Sequence, residues 1–467
     1  MKKLKAIKIN KSQWFLPALF FALILVSCDD YLDVEPKGIR LLETVDDYNS
    51  WLNYDNLQNY LSPKMNMMAD NIDNPNIPNL PTNSDDLAYL WRPQFSEDLS
   101  GYAYIWTEHY RSILYFNTVL QGIDAAKNGS EQEKKSLKAE ALLGRAFDYL
   151  CLVNFYGKQY NSNTASNDLA VPFVTSVDIS DAMPPRNSVQ EIYNHIITDI
   201  QAAIPDLPLN NNQNRFRGSV AAAYSVLART YLYMRDYSKA AQNAQLALDN
   251  GPNVIIDYTL LGSDSDIPSL LRRSDAIYGR LNSISFVPEI PSLNFLRSFD
   301  IKDLRLKFFY TNLGDYSFTT RGQTQYQKEG LSFGYADNNW GTSVAEMRLI
   351  IAEAAARSNN LPTALNQLDI VRKTRFLPAD YVQFASTDQE TVLQKVLAER
   401  TFEFPYNGLR WFDMRRLDAE GRMTKVERYD AGGNVISTLL PGSNKYTLQI
   451  PLSVMYFNQS WQQNPID

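Results

Sequence analysis

The sequence predicts a mostly α-helical protein, in which tetratricopeptide-like helical hairpins form a scaffold and an irregular, loop-rich region with short strands is inserted between them. Three observations predict this class. Apolar residues recur at three- and four-residue spacing through most of the chain. Two segments share the spacing of large and small residues that is typical of a tetratricopeptide pair. Between these segments the periodicity is lost, and Gly, Pro, Ser, Asn and Tyr become frequent.

Residues 1–27 have the features of a signal peptide. Lysines without any acidic residue precede an apolar run from Trp14 to Val26, which is shorter than the roughly 20 apolar residues of a membrane-spanning helix. The small residue Ser27 before Cys28 resembles a bacterial lipoprotein cleavage site. This resemblance implies that Cys28 becomes the lipidated first residue of a chain anchored to a membrane without crossing it. An uncleaved signal anchor is the alternative.

Composition limits the partners that this chain can have. The formal net charge is −7, and loss of the lysine-rich leader would make it more negative, which argues against nucleic acid or an anionic lipid surface. Apart from Cys28 the chain has one cysteine, Cys151, so no disulfide is expected. Two histidines exclude a histidine-rich metal site, and no cofactor is expected. Aromatic residues make up 12% of the chain, which suggests sugar or peptide contact.

The predicted organisation is a tether followed by a single domain. The tether is 28–40 and the domain 41–467, with helical scaffold at about 101–252 and 343–417 and irregular regions at about 62–100, 253–342 and 420–467. Loop-rich regions on a rigid scaffold are where binding sites usually lie, so we expect the irregular regions to face the ligand. Within the last region, 430–434 (Asp-Ala-Gly-Gly-Asn) predicts the turn of a hairpin.

The helices before the repeats are predicted from spacing and end signals. The first carries a stripe of Trp106, Tyr110, Ile113, Asn117 and Leu120. A second long helix follows and ends at Gly157. A third covers 188–204, where Ser188 and Glu191 have capping-box spacing.

The tetratricopeptide spacing occurs twice in register. In 220–252 it is carried by Tyr224, Leu227, Ala228, Tyr231, Ala240, Ala244 and Pro252. It returns with Ile351, Ala352, Ala355, Ala364 and Leu368. The small residues allow two antiparallel helices to approach closely, so Tyr224, Leu227 and Tyr231 are expected in the core. A further helical pair is predicted at about 388–404 and 407–417.

Charged residues of opposite sign alternate along this last pair. They are Glu399, Arg400, Glu403, Arg410, Asp413 and Arg415. Their spacing predicts ion pairs that fix the pair to the scaffold, because arginine binds carboxylates through two hydrogen bonds. Four other acidic residues, Asp70, Asp73, Asp85 and Asp86, lie in an Asn-rich loop without EF-hand spacing, and a solvated loop is expected there rather than a calcium site.

Several of these segments, taken in order, carry a family resemblance. The strongest is 399–416, which contains Glu-Arg and Asn-Gly pairs, and the others are 28–33, 106–117, 139–149, 300–305, 345–354 and 448–465. Together they are similar to the SusD/RagB family of outer-membrane nutrient-binding lipoproteins, over nearly the whole chain after Cys28. The family usually has an acidic residue where this chain has Asn407.

The resemblance implies a lipid-anchored protein on the outer-membrane surface. It would bind a glycan or oligosaccharide and pass it to a TonB-dependent, SusC-like transporter, without enzymatic activity. Peptide binding by the same architecture is the first alternative. A surface glycoside hydrolase and a pure assembly scaffold are the others; hydrolysis needs only two carboxylates, but helical-repeat scaffolds are mostly binding architectures.

Two clusters of aromatic and polar residues outside the helical stripes suit a sugar ligand. An exposed ring covers the apolar face of a sugar, and polar side chains bind its hydroxyls. The candidate ligand contacts are Tyr89, Trp91 and Arg92 in one cluster, and Tyr335, Asn338, Asn339 and Trp340 in the other. Their alternative role is to pack the irregular region onto the helices.

Overall fold

The computed structural model describes residues 42–60, 64–96, 98–263, 266–282, 289–311, 316–326 and 338–467. The chain divides into two units, Met1–Glu43 and Thr44–Asp467, and the elements below belong to the second. The predicted lipidation site Cys28, the tether 28–40 and the candidate contact Tyr335 lie outside the described residues.

Helices dominate the structure, as predicted. They are α1 (Val45–Trp51), α2 (Lys64–Met68), α3 (Ser84–Tyr89), α4 (Tyr104–Gly122), α5 (Glu131–Tyr156), α6 (Val189–Ala203), α7 (Val220–Tyr233), α8 (Tyr237–Asp249), α9 (Leu293–Arg297), α10 (Leu304–Phe309), α11 (Val344–Arg357), α12 (Leu361–Arg372), α13 (Gln389–Glu403), α14 (Leu409–Asp418) and α15 (Leu452–Phe457). Hairpins pack as α4 with α5, α5 with α6, α7 with α8, and α11 with α12; α11 also packs against α8 and α13. None of the helices in the described ranges combines the length and apolar composition required to cross a membrane.

The strands are short and lie mostly in the regions predicted to be irregular. They are β1 (Asn59–Tyr60), β2 (Ile72–Asp73), β3 (Ala276–Tyr278), β4 (Leu281–Asn282), β5 (Ile290–Pro291), β6 (Asn338–Asn339), β7 (Thr342–Ser343), β8 (Val426–Tyr429) and β9 (Val435–Leu439). β4 pairs with β1 in parallel and with β6 in antiparallel orientation. β2–β5, β3–β7 and β8–β9 are antiparallel pairs. The β8–β9 hairpin turns at the predicted Asp-Ala-Gly-Gly-Asn segment, where the Asp430 N–H donates to the Asn434 carbonyl at 2.9 Å.

The predicted repeat residues pack between helices. Leu227 and Tyr231 are buried on α7, whereas Tyr224 is half-buried. Ala240 and Ala244 of α8 are fully buried, as the close approach of two helices requires. At the start of α6 the predicted capping box is present, with the Ser188 hydroxyl accepting from the Glu191 N–H and the Glu191 carboxylate accepting from the Ser188 N–H.

Five of the six charged residues singled out on α13 and α14 form ion pairs, as predicted. The prediction is wrong for Arg415, which pairs with no carboxylate of the described residues and donates instead to the Gly157 carbonyl at 2.5 Å and the Thr447 hydroxyl at 3.3 Å. Arg400 Nε lies 2.8 Å from Asp413 Oδ2, and Arg416 contacts both Asp413, at 2.7 Å, and Glu353 of α11, at 2.5 Å. Glu346 of α11 joins Arg400 to Arg229 of α7. The motif therefore connects α7, α11, α13 and α14 through one chain of opposite charges, which is a structural role.

The irregular regions have a hydrophobic cluster of their own beside the main core. It contains Ile72, Tyr89, Phe295, Phe299, Phe309, Tyr326, Phe402 and Tyr406, among others. Phe402 belongs to α13 and Tyr406 to the turn before α14, so the cluster rests on the last helical pair. Glu403 reinforces this attachment, because it accepts hydrogen bonds from Arg305 of α10 and from Arg375.

Candidate functional site

The irregular regions and the last helical pair enclose an open cleft of about 650 Å³. Residues from all three regions predicted to face a ligand line it, together with residues of α13 and α14. The polar and aromatic lining includes Asp70, Asp73, Asn294, Arg297, Arg321, Thr401, Arg410, Lys425, Glu427, Arg428 and Tyr429. We call this site the interloop cleft.

Two bidentate ion pairs fix the sides of the interloop cleft. Arg410 Nε and Nη2 donate to the Asp70 carboxylate at 2.7 and 2.6 Å. Arg321 donates to both oxygens of Asp73 at 2.7 Å and to the Asp430 carbonyl at 2.7 Å, which ties β2 to the β8–β9 hairpin. Burial would raise the pKa of both carboxyls, but Arg410 and Arg321 hold the pKa of Asp70 and of Asp73 below their usual values.

These pairs correct the expectation of a solvated acidic loop. Asp70 and Asp73 are bound to arginine, and the buried Asp86 accepts hydrogen bonds from the amides of Asn74, at 2.7 Å, and Asn83, at 2.6 Å. Within the ranges that the structure describes, no group of three or more His, Cys, Asp or Glu side chains is arranged to hold a metal ion.

A buried arginine organises the side of the cleft formed by 67–90. Its guanidinium is that of Arg428, on β8, which donates to the carbonyls of Met67, Ala69, Ile72 and Tyr89 at 2.7–3.0 Å. The group lies 4.3 Å from the ring centroids of both Tyr89 and Trp91. Burial lowers the pKa of Arg428 to about 10, which leaves it charged at neutral pH.

Trp91 is therefore a core residue, which corrects the prediction that it faces a ligand. Tyr89 is also buried but lines the interloop cleft, so its contact with a ligand stays a prediction. The exposed fractions of Tyr89 and Trp91 are 1% and 4%. The Trp91 indole donates to the Met68 carbonyl at 2.9 Å, and the Tyr89 hydroxyl donates to Asp73 at 3.0 Å. Arg92 is exposed, and its contact with a ligand stays a prediction.

The second predicted cluster is also packed inside the protein. Trp340 is 1% exposed, stacks on Phe155 with an interplanar angle of 7°, and directs its indole N–H to Cys151 Sγ at 3.4 Å. Asn338 is buried and donates to the Tyr406 carbonyl at 3.2 Å. These two residues are thus not surface contacts, whereas half-buried Asn339, which donates to the Thr342 carbonyl at 3.1 Å, stays a prediction.

The cleft instead offers residues that the sequence analysis did not select. Tyr429, at the end of β8, is 36% exposed, and its hydroxyl donates to Glu427 at 3.0 Å. Asn294 and Arg297 of α9 are exposed on the same cleft. Arg297 donates through Nε to the Phe318 carbonyl at 3.0 Å, and its other two nitrogens make no hydrogen bond to the described residues. Tyr429 directly precedes the predicted 430–434 turn, in a region predicted to face the ligand. This position is the feature of the sequence from which Tyr429 could have been selected as a ligand contact.

The fold and the cleft define a class: a helical-repeat scaffold that carries a loop-built binding cleft. Family comparisons identify the class more narrowly. Residues 30–232 match a SusD-like family model described as starch-binding and associating with the outer membrane, and residues 309–466 match the SusD family model that includes RagB. The chain belongs to the SusD/RagB family.

Two SusD-like proteins of Formosa agariphila are related in sequence. The first is 26% identical over an alignment that covers 62% of this chain and 66% of that protein. The second is 23% identical over an alignment that covers 89% of this chain and 92% of that protein.

Solved structures share the fold at low sequence identity. A SusD superfamily protein from Bacteroides thetaiotaomicron has a TM-score of 0.71 at 19% identity and covers 90% of this chain and 100% of its own. A SusD-like carbohydrate-binding protein from Bacteroides vulgatus has a TM-score of 0.69 at 18% identity, with coverage of 91% and 98%. Surface glycan-binding protein A from Bacteroides uniformis has a TM-score of 0.70 at 18% identity, with coverage of 90% and 99%.

Proposed function

We propose that this protein is a lipid-anchored protein of the outer-membrane surface, which binds a glycan in the interloop cleft and passes it to a TonB-dependent, SusC-like transporter. No bond of the glycan is broken in this role. The observation that carries the proposal is the convergence of three loop-rich regions on one polar cleft with an exposed tyrosine, Tyr429. Family membership and the names of two structural relatives support the ligand class. The leader ending before Cys28 supports the anchor.

The cleft has the two kinds of surface that a sugar requires. The Tyr429 ring offers an apolar face for the C–H side of a pyranose, and its hydrogen bond to Glu427 limits the orientation of the ring. Asn294 and Arg297 offer donors and an acceptor for the hydroxyls. Because Arg410 and Arg321 hold the sides of the cleft through partly buried, bidentate ion pairs, little ordering of the backbone is needed on binding.

Charge favours glycans that carry negative groups. Five cationic side chains and three carboxylates line the cleft, although the chain as a whole has a net charge of −7. Arg321 and Arg410 are paired with aspartates, Lys425 is paired with Glu427, and Arg428 is buried. Arg297 is therefore the cation placed to meet a ligand. A carboxylate or sulfate on the saccharide matches the paired N–H groups of arginine. We expect an acidic oligosaccharide to bind more tightly than a neutral one, by a margin that added salt reduces.

Replacing Tyr429 with alanine tests the proposal. We expect Tyr429→Ala to weaken glycan binding by at least about 1 kcal/mol, roughly fivefold, because an aromatic contact at the centre of a site is lost. The melting temperature should hardly change, since the ring is exposed. Calorimetric titration with oligosaccharides of pectate, alginate, galactan and starch measures the affinities.

The matched control for this variant is Tyr456→Ala, which removes a 56% exposed tyrosine that does not line the cleft. Equal affinities for Tyr429→Ala and the wild type would contradict the proposed site. Binding of peptides but not of glycans would support the peptide alternative instead. Release of reducing sugar from these substrates by the wild type would indicate a hydrolase.

A further inference from the structure

A second surface with exposed aromatic rings lies on α4. The buried side of this helix carries Trp106, His109, Ile113, Phe116 and Asn117. On the opposite side, Tyr104, Glu108, Arg111 and Tyr115 follow one another at spacings of four, three and four residues, which places them in one row along the helix. Tyr104 is exposed, Arg111 and Tyr115 are half-buried, and Glu108 is buried. From Tyr104 to Tyr115 this row is about 16 Å long, because a helix rises 1.5 Å per residue.

Aromatic rings cluster at both ends of the row. At the Tyr115 end, Trp51 lies 5.0 Å from Tyr115 and 6.2 Å from Tyr54, measured between ring centroids, and the planes of Trp51 and Tyr54 differ by only 13°. At the other end, Tyr102 and Tyr104 are 4.6 Å apart. Tyr54, Tyr102 and Tyr104 are 46%, 44% and 40% exposed. We call Trp51, Tyr54, Tyr102, Tyr104 and Tyr115 the α4 ridge.

Hydrogen bonds hold the rings of the α4 ridge in place. The Trp51 indole donates to the Tyr115 carbonyl at 3.1 Å, and the Tyr102 hydroxyl donates to Glu108 at 2.6 Å. Arg111 donates to Glu108 at 2.9 Å and to the Tyr102 hydroxyl. Rings held in this way lose little conformational freedom when they bind a partner. The polar side chains of Glu108 and Arg111 lie between the two groups of rings.

The surroundings of the α4 ridge are suited to hydroxyl groups. Asn49 and Asn53, which flank Trp51 in the sequence, are exposed, and their side-chain oxygens accept hydrogen bonds from Arg217 at 2.8 and 3.1 Å. Tyr102 and Tyr104 line a small pocket of about 50 Å³. Gln94, Phe95, Gln449 and Leu452 also line this pocket. A surface of separated rings with amides at one end and a pocket at the other differs from the contiguous apolar patch of a typical protein interface.

We infer that the α4 ridge is a second saccharide-binding surface, which holds an extended polysaccharide chain through the apolar faces of its sugars. It shares no residue with the interloop cleft. Two separate contacts on one long polymer raise the effective concentration of the second contact, so the α4 ridge would retain a polysaccharide near the cleft. The inference takes from the proposed function only the class of ligand, a saccharide. The location of the α4 ridge does not depend on that of the interloop cleft.

Affinity electrophoresis in native gels tests the inference. The gels contain starch, xyloglucan, laminarin or galactomannan, and the variant is the double replacement Tyr54→Ala/Tyr104→Ala. We expect the wild type to be retarded by at least one of these polymers, and the double variant to bind it at least about fivefold more weakly. The affinity of the double variant for short oligosaccharides that bind in the interloop cleft, measured by calorimetry, should remain within about twofold of the wild-type affinity. The reason is that substitutions at separate sites usually have independent effects.

The controls separate this inference from the proposed function. Tyr456→Ala should behave as the wild type in both assays, and Tyr429→Ala should lose short-oligosaccharide binding with a smaller loss of retardation.

If the double variant unfolds, Tyr54→Ala alone replaces it, because this ring is the most exposed of the five. Unchanged retardation of a folded variant would overturn the inference, as would a wild type that none of the polymers retards. If the double variant no longer co-purifies with the transporter but is retarded as strongly as the wild type, the α4 ridge is a protein-docking surface, and the inference is overturned.

Discussion

Replacing Gly408 with alanine is expected to destabilise the protein by roughly 2–5 kcal/mol. Gly408 precedes α14 with φ of +79°, a conformation that costs a residue with a Cβ atom about 1–2 kcal/mol. An added Cβ would also stand 1.4 Å from Trp340 Cζ3. The indole cannot move aside, because it is packed against Phe155 and Phe412. Overpacking of this kind adds about 1–3 kcal/mol. Urea denaturation of both proteins measures the difference.

Gly433→Ala is the matched control for this prediction. Gly433 has φ of +84° in the β8–β9 turn, but a Cβ atom added there would meet no atom of the described residues within 4 Å. Its replacement should therefore lower the free energy of unfolding only by the cost of a positive φ for a residue with a Cβ atom, about 1–2 kcal/mol. Equal losses for Gly408→Ala and Gly433→Ala would show that Trp340 does not restrict this site.

Replacing Glu403 with glutamine should cost about 3–5 kcal/mol at neutral pH. The Glu403 side chain is 6% exposed and lies between Arg305 and Arg375. Burial would raise its pKa, but Arg375 and Arg305 hold the pKa of Glu403 at about 2. A neutral amide leaves the buried Arg375 guanidinium without a carboxylate among the described residues and removes one of the three carboxylates that surround Arg305. Denaturation midpoints across a pH series measure the cost.

The pH dependence gives this prediction a definite sign. Since the folded-state pKa of Glu403 lies below the unfolded value of 4.5, its contribution is complete above about pH 4.5 and is lost as the pH falls towards 2. The difference between wild type and variant should therefore shrink over this range. Glu390→Gln is the control, because Glu390 is 54% exposed and pairs with Arg422 on the surface, where such a pair contributes about 0–1 kcal/mol. A constant difference between pH 7 and pH 2.5 would contradict the assigned role.

The scaffold could be predicted from the sequence because its signals are local. The alanines of α7 and α8 are spaced to let two helices meet, and Ser188 and Glu191 cap the same helix that they begin. The charges of α13 and α14 also follow helix spacing, so their pairing could be expected, although the partners Glu346 and Arg305 belong to distant segments.

The cleft could be predicted only in outline, since its contacts join segments far apart in the chain. Trp91 stands in polar sequence, yet Arg428 of β8 covers its ring. Trp340 stands beside two asparagines, yet those amides bind backbone carbonyls inside the protein. Local polarity therefore indicates hydrogen bonding but not exposure. The periodicity of α4 is a better guide to exposure than local polarity. Its apolar stripe identifies the buried side of the helix and so places Tyr104 and Tyr115 on the opposite side.

The most direct test of the central claim is a crystal structure with a bound oligosaccharide, chosen as the tightest ligand in the calorimetric titrations. We predict a sugar ring stacked on Tyr429 in the interloop cleft, with Arg297 or Asn294 within hydrogen-bond distance of its polar groups. The glycosidic bonds should remain intact. An oligosaccharide bound elsewhere with the cleft empty, or one cleaved in the crystal, would contradict the account.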